Sequence, residues 1–395
     1  MRFKTNVVVG LVFVGLLAYV YVFEIREREQ QREAAEKSSL LLDVEEDQVA
    51  ALTIDKGDSV IVLENRQDGW WLQQPVADLA DDAAVDRLVR NIRESKRERV
   101  LVDSAVAAAA PEKAEQYQLQ PPRLELTVEM KEQGGSHVIR YGADNPTDTY
   151  VYVQEGGDNP EIFTIRAWRF DNVDKKVFDL RDRRVLAFAQ DEVVEIDLEY
   201  PGNTVSIARG EAGEWHLSAP VAARADADAV DDLLRGLDNS KIAAFVDEDP
   251  GEETLDRHGL ATPMVTAVLT IGDDRAEKRL TVAGERGVRE SGRLARDASR
   301  TPVFRIDSTL VEKLQVSVFD LRDKEPMGFN KDGITRVELI GTGGSFVAEK
   351  DTADVWSIVD PEAVAAKTWV LRGFLSDVER LEVAEFVRDG VGDAG

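Results

Sequence analysis

The side chains best placed to do chemistry in this chain are acids and arginines. The hexapeptide Val-Phe-Asp-Leu-Arg-Asp occurs at residues 177–182 and again at 318–323. Asp179, Arg181 and Asp182 therefore recur as Asp320, Arg322 and Asp323. A guanidinium beside carboxylates can form a bidentate pair that recognises a partner. The plainer expectation is structural, with each arginine pairing inside its own or the next segment to close it. Trp70, Trp215 and Trp356 could stack on a ligand, but their place between strand residues and an apolar helix points to core. The acidic run at 247–253 offers oxygen ligands for Ca²⁺ but lacks their regular spacing, so a solvated loop is expected. Asp226, Asp228, Asp231 and Asp232 suit the start and outer face of a helix. The Gly-Thr-Gly-Gly-Ser stretch at 341–345 lacks the lysine and helix of a phosphate cradle and reads as a hairpin turn. His137, His216 and His258 share no context, and the chain has no cysteine. No serine-hydrolase, zincin or nucleotide-binding pattern is present. No catalytic residue, cofactor or metal site is assigned, although 76 acids make close carboxylate pairs inevitable.

The elements that must carry these residues repeat. A Trp-x4-Pro spacing occurs at Trp70–Pro75, Trp215–Pro220 and Trp356–Pro361. Ten residues beyond each proline an apolar stripe begins at spacing 0, 3, 4, 7, one face of an α-helix. It reads Val85, Leu88, Val89, Ile92, then Val230, Leu233, Leu234, Leu237, then Leu371, Phe374, Leu375, Val378. Burying four such side chains contributes at most about 6–12 kcal/mol per copy. Asp81 and Asp226 are the expected N-caps. Lys367 holds that place in the third copy, so that helix must start differently. Each copy opens with an alternating strand (Val49, Leu52, Ile54; Val193, Ile196, Leu198; Ile334, Val337, Leu339). After each helix another strand is expected, at 100–102, 244–246 and 385–387. The first two copies add further strands before the closing hexapeptide. The third stops halfway and reads as a cap over the edge left by copy two.

Residues Val7 to Phe23 form 17 uncharged apolar or aromatic positions, about 25 Å of helix, near the lower limit for spanning a bilayer. The run is long for a signal peptide and no A-x-A-like site follows it, so an uncleaved anchor is expected. The organisation is then a tail at 1–6, a transmembrane helix at 7–23, a charged stalk at 24–43, modules at 44–183 and 184–324, and a half module at 325–395. The fold class is α+β: an N-terminal transmembrane helix followed by tandem strand-rich modules with one principal helix each. Lysine and arginine flank both sides of the helix, and long domains translocate largely regardless of local charge, so the bulk is expected outside the cytoplasm. The formal net charge of −27 disfavours nucleic acid as a partner.

The order Trp-x4-Pro, helix, Tyr117-x-Leu119-x-x-Pro122, strands, PVFRID at 302–307, VFDLRD and RRVLAF at 183–188 resembles the bacterial domain-of-unknown-function 4340 family. His258 stands where that pattern has Tyr, and Lys-Glu-Pro follows the second hexapeptide in place of Arg-Arg. The resemblance implies a non-enzymatic component of the bacterial inner membrane and envelope. Such a component serves as accessory or scaffold to an ABC-type transport system, with a permease or envelope protein as partner. It carries no catalytic residue, cofactor or metal. Two alternatives stay open: an envelope hydrolase acting on glycan or peptide with carboxylates between modules, and a cytoplasm-facing assembly factor.

Overall fold

The computed structural model describes residues 13–15, 19–21, 39–131, 135–157, 160–289, 291–342 and 344–387. The chain divides into two compact units, Met1–Arg183 and Arg184–Gly395. Among the described residues no helix is long and apolar enough to cross a membrane. The expected tail and most of the expected span and stalk lie outside the described residues. The described pieces of the span, 13–15 and 19–21, are helical and exposed.

The first unit holds one antiparallel sheet of nine strands in the order β4-β3-β2-β1-β6-β7-β8-β9-β5. These are β1 (Val49–Asp55), β2 (Val60–Arg66), β3 (Gly69–Gln74), β4 (Asp78–Leu79), β5 (Arg99–Val102), β6 (Leu124–Met130), β7 (Ser136–Asp144), β8 (Tyr150–Glu155) and β9 (Ile162–Arg166). Strand β1 is the hinge of the order: Leu52 lies opposite Leu63 on β2 and Val128 on β6, and Ile54 opposite Ile61 and Leu126. Alternate side chains of a strand share a face, so these six meet on one side, and all are buried. The helix Asp82–Arg93 joins the same core. Its stripe Val85, Leu88, Val89 and Ile92 packs in one cluster with Trp70 and the β1, β2 and β6 residues. Asp81 caps it as expected, accepting from the Ala84 N–H. The helix runs from one edge strand, β4, toward the other, β5, so its two flanking strands close opposite sides of the sheet.

The second unit repeats this plan in the order β13-β12-β11-β10-β15-β16-β18-β19-β14, with β17 (Val288–Arg289) added on β18. The strands are β10 (Val193–Tyr200), β11 (Asn203–Arg209), β12 (Trp215–Ala219), β13 (Ala223–Arg224), β14 (Ala244–Asp247), β15 (Val265–Ile271), β16 (Ala276–Val282), β18 (Gly292–Asp297) and β19 (Val303–Ile306). Asp226 caps the helix Ala227–Asn239 by accepting from the Ala229 N–H. Trp215 and the stripe Val230, Leu233, Leu234 and Leu237 are buried in one cluster with β10, β11 and β15.

The third copy builds only the first four strands, β20 (Arg336–Gly341), β21 (Gly344–Lys350), β22 (Trp356–Asp360) and β23 (Val364–Ala365), with the helix Thr368–Glu379. They form a separate four-stranded sheet over a small core of Val337, Ala348, Trp356, Leu371 and Leu375. The 341–345 stretch is the expected hairpin, with Gly341 opposite Gly344. Lys367 contributes no side-chain cap, and the helix start is instead tied back by Thr368, whose Oγ1 accepts from the Trp356 N–H. Asp82 does the same for Trp70 at 2.7 Å.

One expectation for this copy is corrected. Residues 385–387 do not form a strand. In the complete modules the post-helix strand pairs with the module's last strand, β5 with β9 and β14 with β19. Among the described residues the third copy has no such partner, so apolar alternation alone cannot make a ladder. Among the described residues the half copy shares no ladder with either edge of the second module's sheet. It meets that module through the chain after its own helix: the Val383 N–H donates to the Lys324 carbonyl, and Phe386 stacks on Phe319 and Arg322.

Candidate functional site

The recurring hexapeptide is a clasp. In the first module its helical turn Val177–Leu180 brings the backbone beside β4: the Asp81 N–H donates to the Leu180 carbonyl, the Asp182 N–H to the Leu79 carbonyl, and Ala80 bridges Arg181. The second module repeats all three with Asp226 to Leu321, Asp323 to Arg224, and Ala225 to Arg322. The motif thus pins the short edge strand and the helix N-cap together. Asp179 and Asp320 each accept the N–H that opens their own turn, from Lys176 and Ser317. Arg181 is 2% exposed, and its Nε donates to Asp78 Oδ2 at 2.6 Å. Asp182 is buried as well.

The second clasp is built differently at one position. Ala223 stands where Asp78 does, and the half-buried Arg322 guanidinium lies 3.6 Å from the centre of the Phe386 ring. Asp323 pairs with Arg224 at 3.5 Å. Of the six clasp side chains, Arg181 and Asp182 are sealed inside their module, Asp179 and Asp320 serve turns, Asp323 pairs with Arg224, and Arg322 lies on Phe386 of the half copy. The three tryptophans are likewise interior. Trp70 donates its indole N–H to Asp86, Arg209 lies over Trp215, and Trp356 is 1% exposed.

Ser317 and Lys324 hold the Asp320 carboxyl below the usual carboxylate range, the Ser317 hydroxyl bond being the main cause. A carboxyl depressed in the folded state supports folding above its unfolded value, near 4, and loses that support as pH falls through the lower folded value. Ser317→Ala should therefore raise the Asp320 titration midpoint toward that of an ordinary aspartate, read by carboxyl NMR. An unchanged midpoint would assign the depression to the backbone N–H of residue 317, which the substitution leaves in place, with Lys324 adding to it.

Among the described residues no group of three His, Asp or Glu side chains is arranged to hold a metal. His258 approaches Asp247, the first residue of the acidic run, at 3.6 Å.

A cleft of ≈ 530 Å³ in the first unit sits outside everything the repeat requires. Tyr117, Tyr150, Tyr152, Glu98, Arg99 and Asn145 line it. Tyr150 and Tyr152 share a face of β8, and the Tyr117 and Tyr152 rings meet at 4.5 Å with a 48° tilt. Arg166 covers Tyr150 and pairs with Glu98 at 3.0 Å. The register sets these positions against the second module, because Val153 lies opposite Phe163 and Ala295 opposite Phe304. There His258, Gly292 and Leu294 replace the three tyrosines. No tyrosine fits at Gly292, where a Cβ would stand 1.9 Å from the Ile306 carbonyl oxygen. The cleft offers ring faces for stacking, phenol donors and the Arg99 guanidinium to a ligand. Sequence reasoning reached only Tyr117, through the Tyr-x-Leu-x-x-Pro pattern, because Tyr150 and Tyr152 lie on a separate segment. Subtracting one copy from the other is the signal that exposes it.

Two overlapping stretches, residues 70–257 and 215–394, match the family model described as Domain of unknown function (DUF4340). Each match begins on a repeat tryptophan. No curated protein and no solved structure matches the chain. With tandem matches that run from Trp70 almost to the last residue, this chain belongs to the Domain of unknown function (DUF4340) family.

Proposed function

We propose that this protein is a non-enzymatic, single-pass component of the bacterial inner membrane. Its modules lie outside the cytoplasm, and it acts as accessory or scaffold to an ABC-type transport system by binding a protein partner. The anchor is the uncharged stretch at 7–23. The charge of −27 gives the tethered modules a solvated coat that repels acidic surfaces.

One observation carries the binding role. The recurring residues are consumed in building the modules, whereas the half copy leaves large apolar side chains in water, Ile340 at 81% and Trp369 at 74% exposure. Exposed apolar surface on an acidic chain is where a partner gains most from docking.

Affinity purification of the full chain in mild detergent after cross-linking is expected to recover a transport permease or another envelope protein. Recovery of the chain alone would sink the reading. A reporter fused after Gly395 is expected to be active only outside the cytoplasm, and cytoplasmic activity would favour the assembly-factor alternative.

A further inference from the structure

The half copy is open at one particular place, and the chain itself displays what fills that place elsewhere. Strands β1, β10 and β20 are equivalent, since Leu52, Ile196 and Val337 occupy the same position in their copies. In the complete modules each is flanked on both sides, β1 by β2 and β6, β10 by β11 and β15. Strand β20 has β21 on one side and, among the described residues, no strand on the other. The remaining free edges of the three sheets are short: two residues in β4, β13 and β23, four in β5 and β14. Short edges are the usual protection against unwanted pairing. Six-residue β20 lacks it.

Hydrogen-bond parity identifies the groups on the open side. The Lys350 N–H donates to the Thr335 carbonyl across the β20–β21 pair. Bonded pairs alternate along an antiparallel ladder, so Val337 and Leu339 face β21 while Arg336, Glu338 and Ile340 direct their N–H and C=O groups outward. Among the described residues no backbone group bonds to them. In β1 the same parity turns Thr53, the counterpart of Glu338, toward Thr127 on β6. The core beneath registers the same gap. Val49, Leu52 and Ile54 are fully buried, whereas Ile334 and Leu339, the counterparts of Val49 and Ile54, remain partly exposed.

We propose that the outer edge of β20 is a strand acceptor. It takes an extended segment of a partner protein, antiparallel, with aliphatic side chains at alternate positions, in the slot that β6 and β15 occupy in the first two modules. Main-chain bonds to Arg336, Glu338 and Ile340 supply the pairing. The alternate aliphatics complete the half core, as Leu126 and Val128 do over β1. The inference rests on the partner-binding reading above and gives it a site and a mode.

The test uses the full chain in detergent and, as probe, a lysine-flanked peptide of residues 265–271, with the same peptide carrying proline at the Val268 position as control. Amide exchange is followed along all three modules. The probe is expected to slow exchange at Arg336, Glu338 and Ile340 at least tenfold without altering β1 or β10, with Arg336 and Ile340 as the readout in any proline variant, and the proline control to have no effect. Glu338→Pro removes an outward donor but leaves the bonds of Val337 and Leu339 to β21, so it should abolish protection by the probe. Glu338→Ala should keep it. Failure of the probe to protect β20, or equal protection in Glu338→Pro, overturns the proposal. A concentration-dependent dimer lost in Glu338→Pro would make the occupant a second copy and likewise overturn it. Partner recovery in cross-linking without probe binding would sink the strand slot alone and leave the broader reading standing.

Discussion

Asp78→Ala is expected to destabilise the first module by about 3–5 kcal/mol, the cost of leaving one member of a buried ion pair without the other. Arg181 would then be held inside the clasp with its Nε donor facing a methyl group. Arg181→Leu in the same background should restore most of the loss, because replacing both charges by apolar groups is often neutral. The second module indicates how the site changes when the acid is absent. With Ala223 in place of Asp78, Arg322 is only half-buried and lies on the Phe386 ring. Arg322→Ala should cost about 0.5–2 kcal/mol, the range of a cation–π contact. Urea unfolding of the full chain, resolved by module through amide exchange, measures all three. A loss below 1 kcal/mol for Asp78→Ala would remove the clasp from the stabilising features of the fold.

Trp356→Ala is expected to melt the half copy alone. Truncating a buried tryptophan costs about 3–5 kcal/mol. Among the described residues its core holds four further buried side chains, Val337, Ala348, Leu371 and Leu375, with half-buried neighbours around them. That loss is comparable to the whole margin of a small core. Exchange protection in β21, β22 and the helix Thr368–Glu379 should vanish, with both complete modules unchanged. Trp215→Ala should lose a similar amount yet leave its module folded, since β10 to β19 share one much larger cluster. Retention of protection in β21 after Trp356→Ala would show that the half copy is held up by something other than its own core.

What the sequence made legible was whatever repeats with a period. The stripes at 85–92, 230–237 and 371–378 announced helices, the Trp-x4-Pro spacing announced the strand before each, and Asp81 and Asp226 announced their caps. All rest on local geometry that any copy must satisfy. Asp78 escaped notice because it is not repeated. An aspartate in a two-residue strand carries no local sign that an arginine 103 residues later will bury itself against it. The strand expected at 385–387 failed for the opposite reason: its pattern is local but its partner is not, and the described residues of the third copy hold no counterpart of β9 or β19. The tyrosine cleft was visible only as an oddity, His258 against the pattern's tyrosine. Its other members, Tyr150 and Tyr152, become informative once strand register sets them beside Gly292 and Leu294.

Two closed modules are followed by one that is open along β20, and amide exchange at two equivalent residues tests this directly. Thr53 and Glu338 hold the same place in their strands, but Thr53 is turned toward β6 and Glu338 toward solvent. In the full chain the Glu338 amide should exchange at least about 100-fold faster than that of Thr53, while Val337 and Leu339 stay protected through β21. Equal protection at Thr53 and Glu338, in the chain alone and without added peptide, would mean that the third module is already closed.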